Sequence, residues 1–186
     1  MSNIYILSWP SGVWKTTIWH AAEKSCFQYV EKVITTTSRP IREWEIGGMH
    51  YHFVERGVFE RFIDENALIE YALVHGNYYG STFSELDRIV QTGKSPLYII
   101  DPQGMVHIRP VLEKRWYTVK SIFLLPPSLD ELKKRLWWRW TETDTAFDLR
   151  LANALIELED KDYYDFQIVN DDILITTQKI LSILQG

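Results

Sequence analysis

The decapeptide SWPSGVWKTT, residues 8–17, carries residue types and a spacing that could handle phosphate. It almost spells G-x-x-x-x-G-K-[ST], the loop whose backbone N–H groups curl around phosphate oxygens at the positive end of the helix that follows. In that pattern Lys15 reaches the β- and γ-phosphates of a nucleoside triphosphate and the Thr16 hydroxyl ligates Mg2+. The contacts to the triphosphate are then Ser11, Gly12, Val13, Trp14, Lys15, Thr16 and Thr17. Two positions break the pattern, because Trp9 and Trp14 stand where its glycines belong. A bulky residue at the position before the lysine costs about 1–2 kcal/mol where φ is positive. It also brings about 150–250 Å² of surface into a loop that must close on an anion. Read literally, Trp14 cripples triphosphate binding. Read blandly, the string is a chance likeness in a strand–helix turn.

Stepping out from the loop, apolar runs at residues 3–7, 29–35, 95–100, 120–125 and 165–169 read as strands. Such runs suit a parallel sheet buried on both faces. Helical patterns cover 15–25, 84–92, 127–136, 146–161 and 174–184. Strand and helix alternating along the chain predict an α/β fold. Residues 35–81 differ: rich in Tyr, His and Gly, with short strand-like pieces, they read as an inserted lobe. The 186 residues fit one domain, and 46% hydrophobic with 24% charged residues is ordinary for a globular protein. A net charge of −5 argues against a nucleic-acid coat or a basic membrane arm. No apolar run reaches the length of a membrane span, and MSNIYIL lacks the basic start of a secretory signal. The single cysteine, Cys26, cannot form an internal disulfide, so a reducing cytoplasm is the expected location.

Beyond the loop, the order of motifs resembles the guanylate kinase family over almost the whole chain. ITTTSRPIREWEIGGMHYHFV at 34–54 and EYALVHGNYYGS at 70–81 are similar to its GMP-binding segment, and IIDPQG at 99–104 to a strand end bearing an acid. LPPSLDELKKRL at 125–136, WRWT at 138–141 and IVNDD at 168–172 resemble the approach to the lid, the lid's G-R-G-T and the last strand. The resemblance implies a P-loop three-layer fold with a parallel central sheet flanked by helices, an inserted GMP-binding lobe and a small lid. The expected partition is a core at about 1–34, 82–125 and 151–186, a lobe at about 35–81 and a lid at about 126–150. The implied reaction moves the γ-phosphoryl of ATP to GMP with Mg2+. The implied partners are ATP and GMP, without nucleic acid or membrane, in a monomer or homodimer.

Residue by residue, the resemblance gives the GMP phosphate to Arg39, Arg42, Tyr51 and Tyr79. Arginine forks match phosphate oxygens in pairs, and tyrosine hydroxyls add neutral donors. Glu70 is implied to accept from the guanine N1–H and N2–H2, with Thr35 and Ser81 completing base recognition. Adenine lacks that donor pair, so a buried Glu70 would reject AMP. Asp101 is implied to hold Mg2+ through water or to help place GMP, and Asn170 to lie near the adenine of ATP. Arg135, Arg139 and Arg150 match the lid arginines, which with Lys15 and Arg39 would neutralise the transferred phosphoryl. Glu45 reads as an orienting residue of the lobe, and His50, His52 and His75 as packing or surface residues. The family's T-T-R-x-P-R appears with its proline shifted to position 40, and Ile99 replaces the first acid of D-x-D.

Trp9, Trp14, Trp44, Trp138 and Trp140 all fall where the family pattern has glycine, and Trp19, Trp116 and Trp137 at looser positions where glycine is plausible. Two readings follow. One is a gene decoded with a table other than its own, since genetic codes differ in reading UGA as glycine or tryptophan. The other is genuine tryptophan in a catalytically inactive guanylate-kinase-like binding module. The intact Lys15, Thr16, Arg39, Arg42, Tyr51, Glu70 and Tyr79 favour the first, because a binding module has no need to keep both nucleotide sites.

Overall fold

The computed structural model describes residues 3–10, 15–26, 28–138 and 144–185, with backbone alone for 15–17, 20, 138 and 144–146. Ser11, Gly12, Val13, Trp14 and Arg139 therefore lie outside the described residues, as do the side chains of Lys15, Thr16 and Thr17.

Five parallel strands form the central sheet: β1 (Asn3–Ser8), β2 (Val30–Lys32), β7 (Ser95–Ile99), β8 (Thr118–Leu125) and β9 (Phe166–Val169). Their order is β2-β7-β1-β8-β9, with β1 paired to β7 on one side and β8 on the other. Alternating side chains of β1 enter two cores. Tyr5 and Leu7 join Ile18, Ile180 and Leu184 beneath α1 (Lys15–Cys26) and α7 (Ile173–Leu184). Ile4 and Ile6 join Leu86, Ile89, Met105 and Ile108 beneath α3 (Phe83–Gln91) and α4 (Pro102–Lys114). Burial on both faces explains the consecutive apolar residues at Ile4–Leu7, Leu97–Ile99 and Ile122–Leu125 of the three inner strands. The chain leaves β1 toward one side of the sheet and later returns to the other. Such a reversal leaves a crevice at the carboxyl ends of the strands, where ligands of open α/β sheets bind.

Between β2 and α3 the chain leaves this sheet and builds another of order β4-β3-β6-β5. Its strands are β3 (Thr36–Thr37), β4 (His52–Phe53), β5 (Leu68–Val74) and β6 (Asn77–Thr82), with α2 (Arg56–Asp64) between β4 and β5. β5 and β6 form a hairpin across His75 and Gly76, both with positive φ. Gly80 of β6 permits a close approach: a Cβ there would stand 2.6 Å from the Glu70 carbonyl oxygen and 3.1 Å from the Phe59 ring. After β8 come α5 (Leu129–Trp138) and α6 (Asp144–Glu159).

Several sequence expectations need adjustment. The second strand is only Val30–Lys32 rather than 29–35, because the chain turns into the lobe after Val33. The fifth helix starts two residues later than expected and runs through Trp138. Helices α2 and α4 were not anticipated. Pro110 lies inside α4 and masked its period, while Asp101 caps it by accepting from the Gly104 N–H at 2.7 Å.

Candidate active site

The lobe fastens Arg39 before any ligand arrives. The Thr37 hydroxyl donates to the Tyr78 carbonyl at 2.9 Å and accepts from the Arg39 N–H at 3.2 Å, while the Tyr78 N–H donates to the Ser38 hydroxyl at 2.8 Å. The Arg39 guanidinium donates from Nη2 to both Glu45 oxygens, at 2.7 and 3.0 Å. The same carboxylate accepts from the Arg42 N–H at 2.9 Å. Glu45 is thus a clamp that sets both arginines, and the Arg39 guanidinium holds its carboxyl below the usual range. The Arg39 fork lies 5.8 Å from the Tyr51 ring centre and 5.6 Å from that of Phe53. Tyr51 meets Tyr79 edge-on, 5.9 Å between ring centres. Arg39, Arg42, Tyr51 and Tyr79 line one cleft of about 360 Å³ together with Lys32, Trp44, Glu45 and His50.

Lys32 is a member of this cleft that sequence reasoning missed. Burial pushes its ammonium pKa down. Its only signal was a cation at the end of a strand, which is too common to single out.

The other end of the lobe site is built across the β5–β6 hairpin. Ser81, fully buried, donates from its hydroxyl to Glu70 at 3.1 Å, and the two residues are register partners. A register shift between Leu68 and Glu70 sets that alignment. Burial raises the Glu70 pKa, with the nearby Asp101 charge adding to the effect and the Ser81 bonds opposing it. Tyr79 and Ser81, two apart on β6, share one face. They are separated along the strand by about 7 Å. Thr35 lies between β2 and β3, its carbonyl accepting from the His52 N–H at 2.9 Å.

The remaining candidates are more dispersed. Asp101 sits at the carboxyl end of β7, exposed, and is engaged as the α4 cap. Asn170 follows β9, buried, with its N–H on the Leu125 carbonyl at 2.8 Å. Arg135 lies on α5 and donates to Glu131 at 2.9 Å; Arg150 lies on α6. Lys15 and Thr16 open α1, so the backbone there supplies the helix N-terminus that phosphate loops use. Among the described residues no group of three His, Cys, Asp or Glu could hold a metal. His52 faces Glu85 at 3.3 Å, and His50 accepts from the Ile46 N–H at 3.0 Å.

These features define an α/β nucleotide-handling protein: a crevice at the carboxyl edge of a parallel sheet, and an inserted lobe that groups cationic and tyrosine side chains beside a buried carboxylate. The family model "Guanylate kinase" matches residues 1–186. The guanylate kinase of Haemophilus influenzae is 40% identical over 99% of this chain and 88% of its own length, and that of Bacillus subtilis 38% over 97% and 87%. The crystal structure of guanylate kinase from Anaplasma phagocytophilum aligns with a TM-score of 0.71 and 33% identity, over 99% of this chain and 85% of that one. The SH3-kinase fragment of tight junction protein 3 aligns at a TM-score of 0.51 with 10% identity, over 99% of this chain and 56% of that one, a likeness of fold alone. This chain belongs to the guanylate kinase family.

Proposed function

We propose that the chain transfers the γ-phosphoryl group of ATP to GMP, giving ADP and GDP, in the cytoplasm. One observation carries this reading most directly. The lobe groups Arg39, Arg42, Tyr51 and Tyr79 in one cleft, and one strand face links Tyr79 to Ser81 beside Glu70. That spacing suits the phosphate and the base of a single nucleoside monophosphate. Arg39, already oriented by Glu45, meets two phosphate oxygens without a search through rotamers. Glu70, half-buried, offers two carboxylate oxygens to the two donors of guanine, and leaving it without donors is costly.

On the donor side, Lys15, Thr16 and the loop at 11–14 hold the ATP phosphates, and Asn170 borders the adenine. Arg135, Arg139 and Arg150 add positive charge where the phosphoryl group crosses. The residues fit Mg2+ in a specific way. Asp101 offers an exposed carboxylate and Thr16 a hydroxyl, both hard oxygen ligands, with no all-protein cage among the described residues. Mg2+ is typically bound by one or two such groups together with substrate phosphates and water. When bound, it would neutralise charge between the β- and γ-phosphates. The inactive binding-module reading draws on Trp9 and Trp14 alone; the family's retained acceptor residues Arg39, Arg42, Tyr51 and Tyr79, grouped in one cleft, weigh against it.

Glu70→Gln tests the reading. It replaces one acceptor oxygen by a donor facing donors, and should weaken GMP use by about 1–3 kcal/mol. ATP affinity should be unchanged. A coupled assay with GMP and AMP in parallel, plus calorimetry with ATP, measures both; an unaltered preference for GMP over AMP removes Glu70 from the site.

A further inference from the structure

Three successive helices end in the same left-handed turn. After α2 the residue is Asn66 at φ +52°, after α3 it is Gly93 at +80°, and after α4 it is Trp116 at +65°. Behind α4 the Trp116 N–H donates to the Glu113 carbonyl at 3.0 Å and the Tyr117 N–H to the Leu112 carbonyl at 3.3 Å. This cap selects glycine, sometimes asparagine, because a Cβ crowds the backbone at positive φ. The first two helices obey. Trp116 does not, and its indole gains little packing in exchange, being 82% exposed.

The same residue type recurs at other exposed positions, where each indole makes an edge contact, Trp44 with His50 and Trp137 with Phe147. Trp44 and Trp137 are 65% and 61% exposed. Trp44 stands on a wall shared by the 360 Å³ acceptor cleft and a neighbouring cleft of about 760 Å³, and Trp19 lines the second. Trp9 and Trp14 take both glycine places of the phosphate loop. Glycine itself is scarce, nine in 186 residues beside eight tryptophans, against a usual share of about 7%.

We propose that all eight tryptophans are glycine in the protein made by its own cells, because the gene's UGA codons are decoded there as glycine. UGA is assigned differently among genetic codes, so a single change of table converts every such position together. That property makes the inference sharp. Substitution one position at a time would respect the surroundings of each residue, whereas a codon table is blind to them. The αL backbone at position 116 therefore commits position 19, whose indole is only 7% exposed and lies within the core, although nothing local at 19 asks for glycine.

The test is to sequence the eight codons and to purify the protein from the cells that carry the gene. Tandem mass spectrometry of the peptides spanning positions 116 and 19 then reads the residues directly. One shared UGA triplet, with glycine at both positions, is expected. Tryptophan at 116, glycine at 116 with tryptophan at 19, or a mixture of codons overturns the proposal. The mass needs no catalysis, so a glycine chain that transferred no phosphoryl group would refute the proposed function and leave this inference standing.

Discussion

At the residue scale, Glu70 is the carboxylate that the proposed function assigns to base selection. Its burial makes ionisation harder, so the site favours a ligand that brings donors to it. Glu45 plays the opposite part, stabilised as an anion by the arginine it orients. Trp116 is the residue with a conformational conflict, and the sign of replacing it can be worked out. Trp116→Gly removes about 1–2 kcal/mol of left-handed strain. It also adds unfolded-chain entropy that offsets about 0.4–1 kcal/mol of the gain. With the indole 82% exposed, little packing is lost, and a net stabilisation of about 0.5–1 kcal/mol is expected. Urea midpoints with an unchanged slope would measure it; a destabilised variant would show that the indole has packing worth more than the strain. Family motifs in the sequence single out Arg39 and Tyr79, which the structure brings to one cleft, and Glu70, which it pairs with Ser81. Lys32 was not, because its role comes from where a short strand ends, and no pattern of residue types marks that.

At the element scale the β5–β6 hairpin carries Glu70, Tyr79 and Ser81 of the proposed acceptor site together. Its tightness depends on Gly80. Gly80→Ala would place a Cβ 2.6 Å from the Glu70 carbonyl oxygen, a backbone atom that cannot swing aside as a side chain can. The strands must part, costing about 1–3 kcal/mol. Glu70 then shifts against Ser81, so the KM for GMP should rise more than that for ATP. Steady-state kinetics with each substrate varied, beside thermal unfolding, checks both halves; parallel changes in the two KM values would show the hairpin to be merely structural. The alternation of strands and helices revealed the central sheet, because its inner strands carry consecutive apolar residues buried on both faces. α4 escaped notice for physical reasons too. Its apolar residues Met105, Ile108 and Leu112 are interrupted by Pro110, and its start is set by the side chain of Asp101 rather than by a run of helix formers.

For the molecule as a whole, the proposed function puts different tryptophan positions in its donor and acceptor regions. A chain with glycine at 9 and 14 alone should regain ATP affinity by tenfold or more, while turnover recovers less, because positions 138 and 140 in the lid segment still carry indoles. Calorimetry and a coupled assay separate the two; full turnover from the double replacement would show that the lid tolerates tryptophan. The strand order has a separate consequence, for synthesis. Among the described strands β1 is synthesised before the others, and it pairs there with β7 and β8. Residues 3–8 must wait for residues 95–125 before a single ladder bond of the central sheet can close on them. At about 5–20 residues per second, that is a delay on the order of ten seconds. Throughout it, the apolar residues Ile4 to Leu7 of β1 have no neighbouring strand in the central sheet. The lobe's sheet, drawn from residues 36–82, is synthesised well before then, so the nascent chain holds all the strands of one sheet before it holds those of the other.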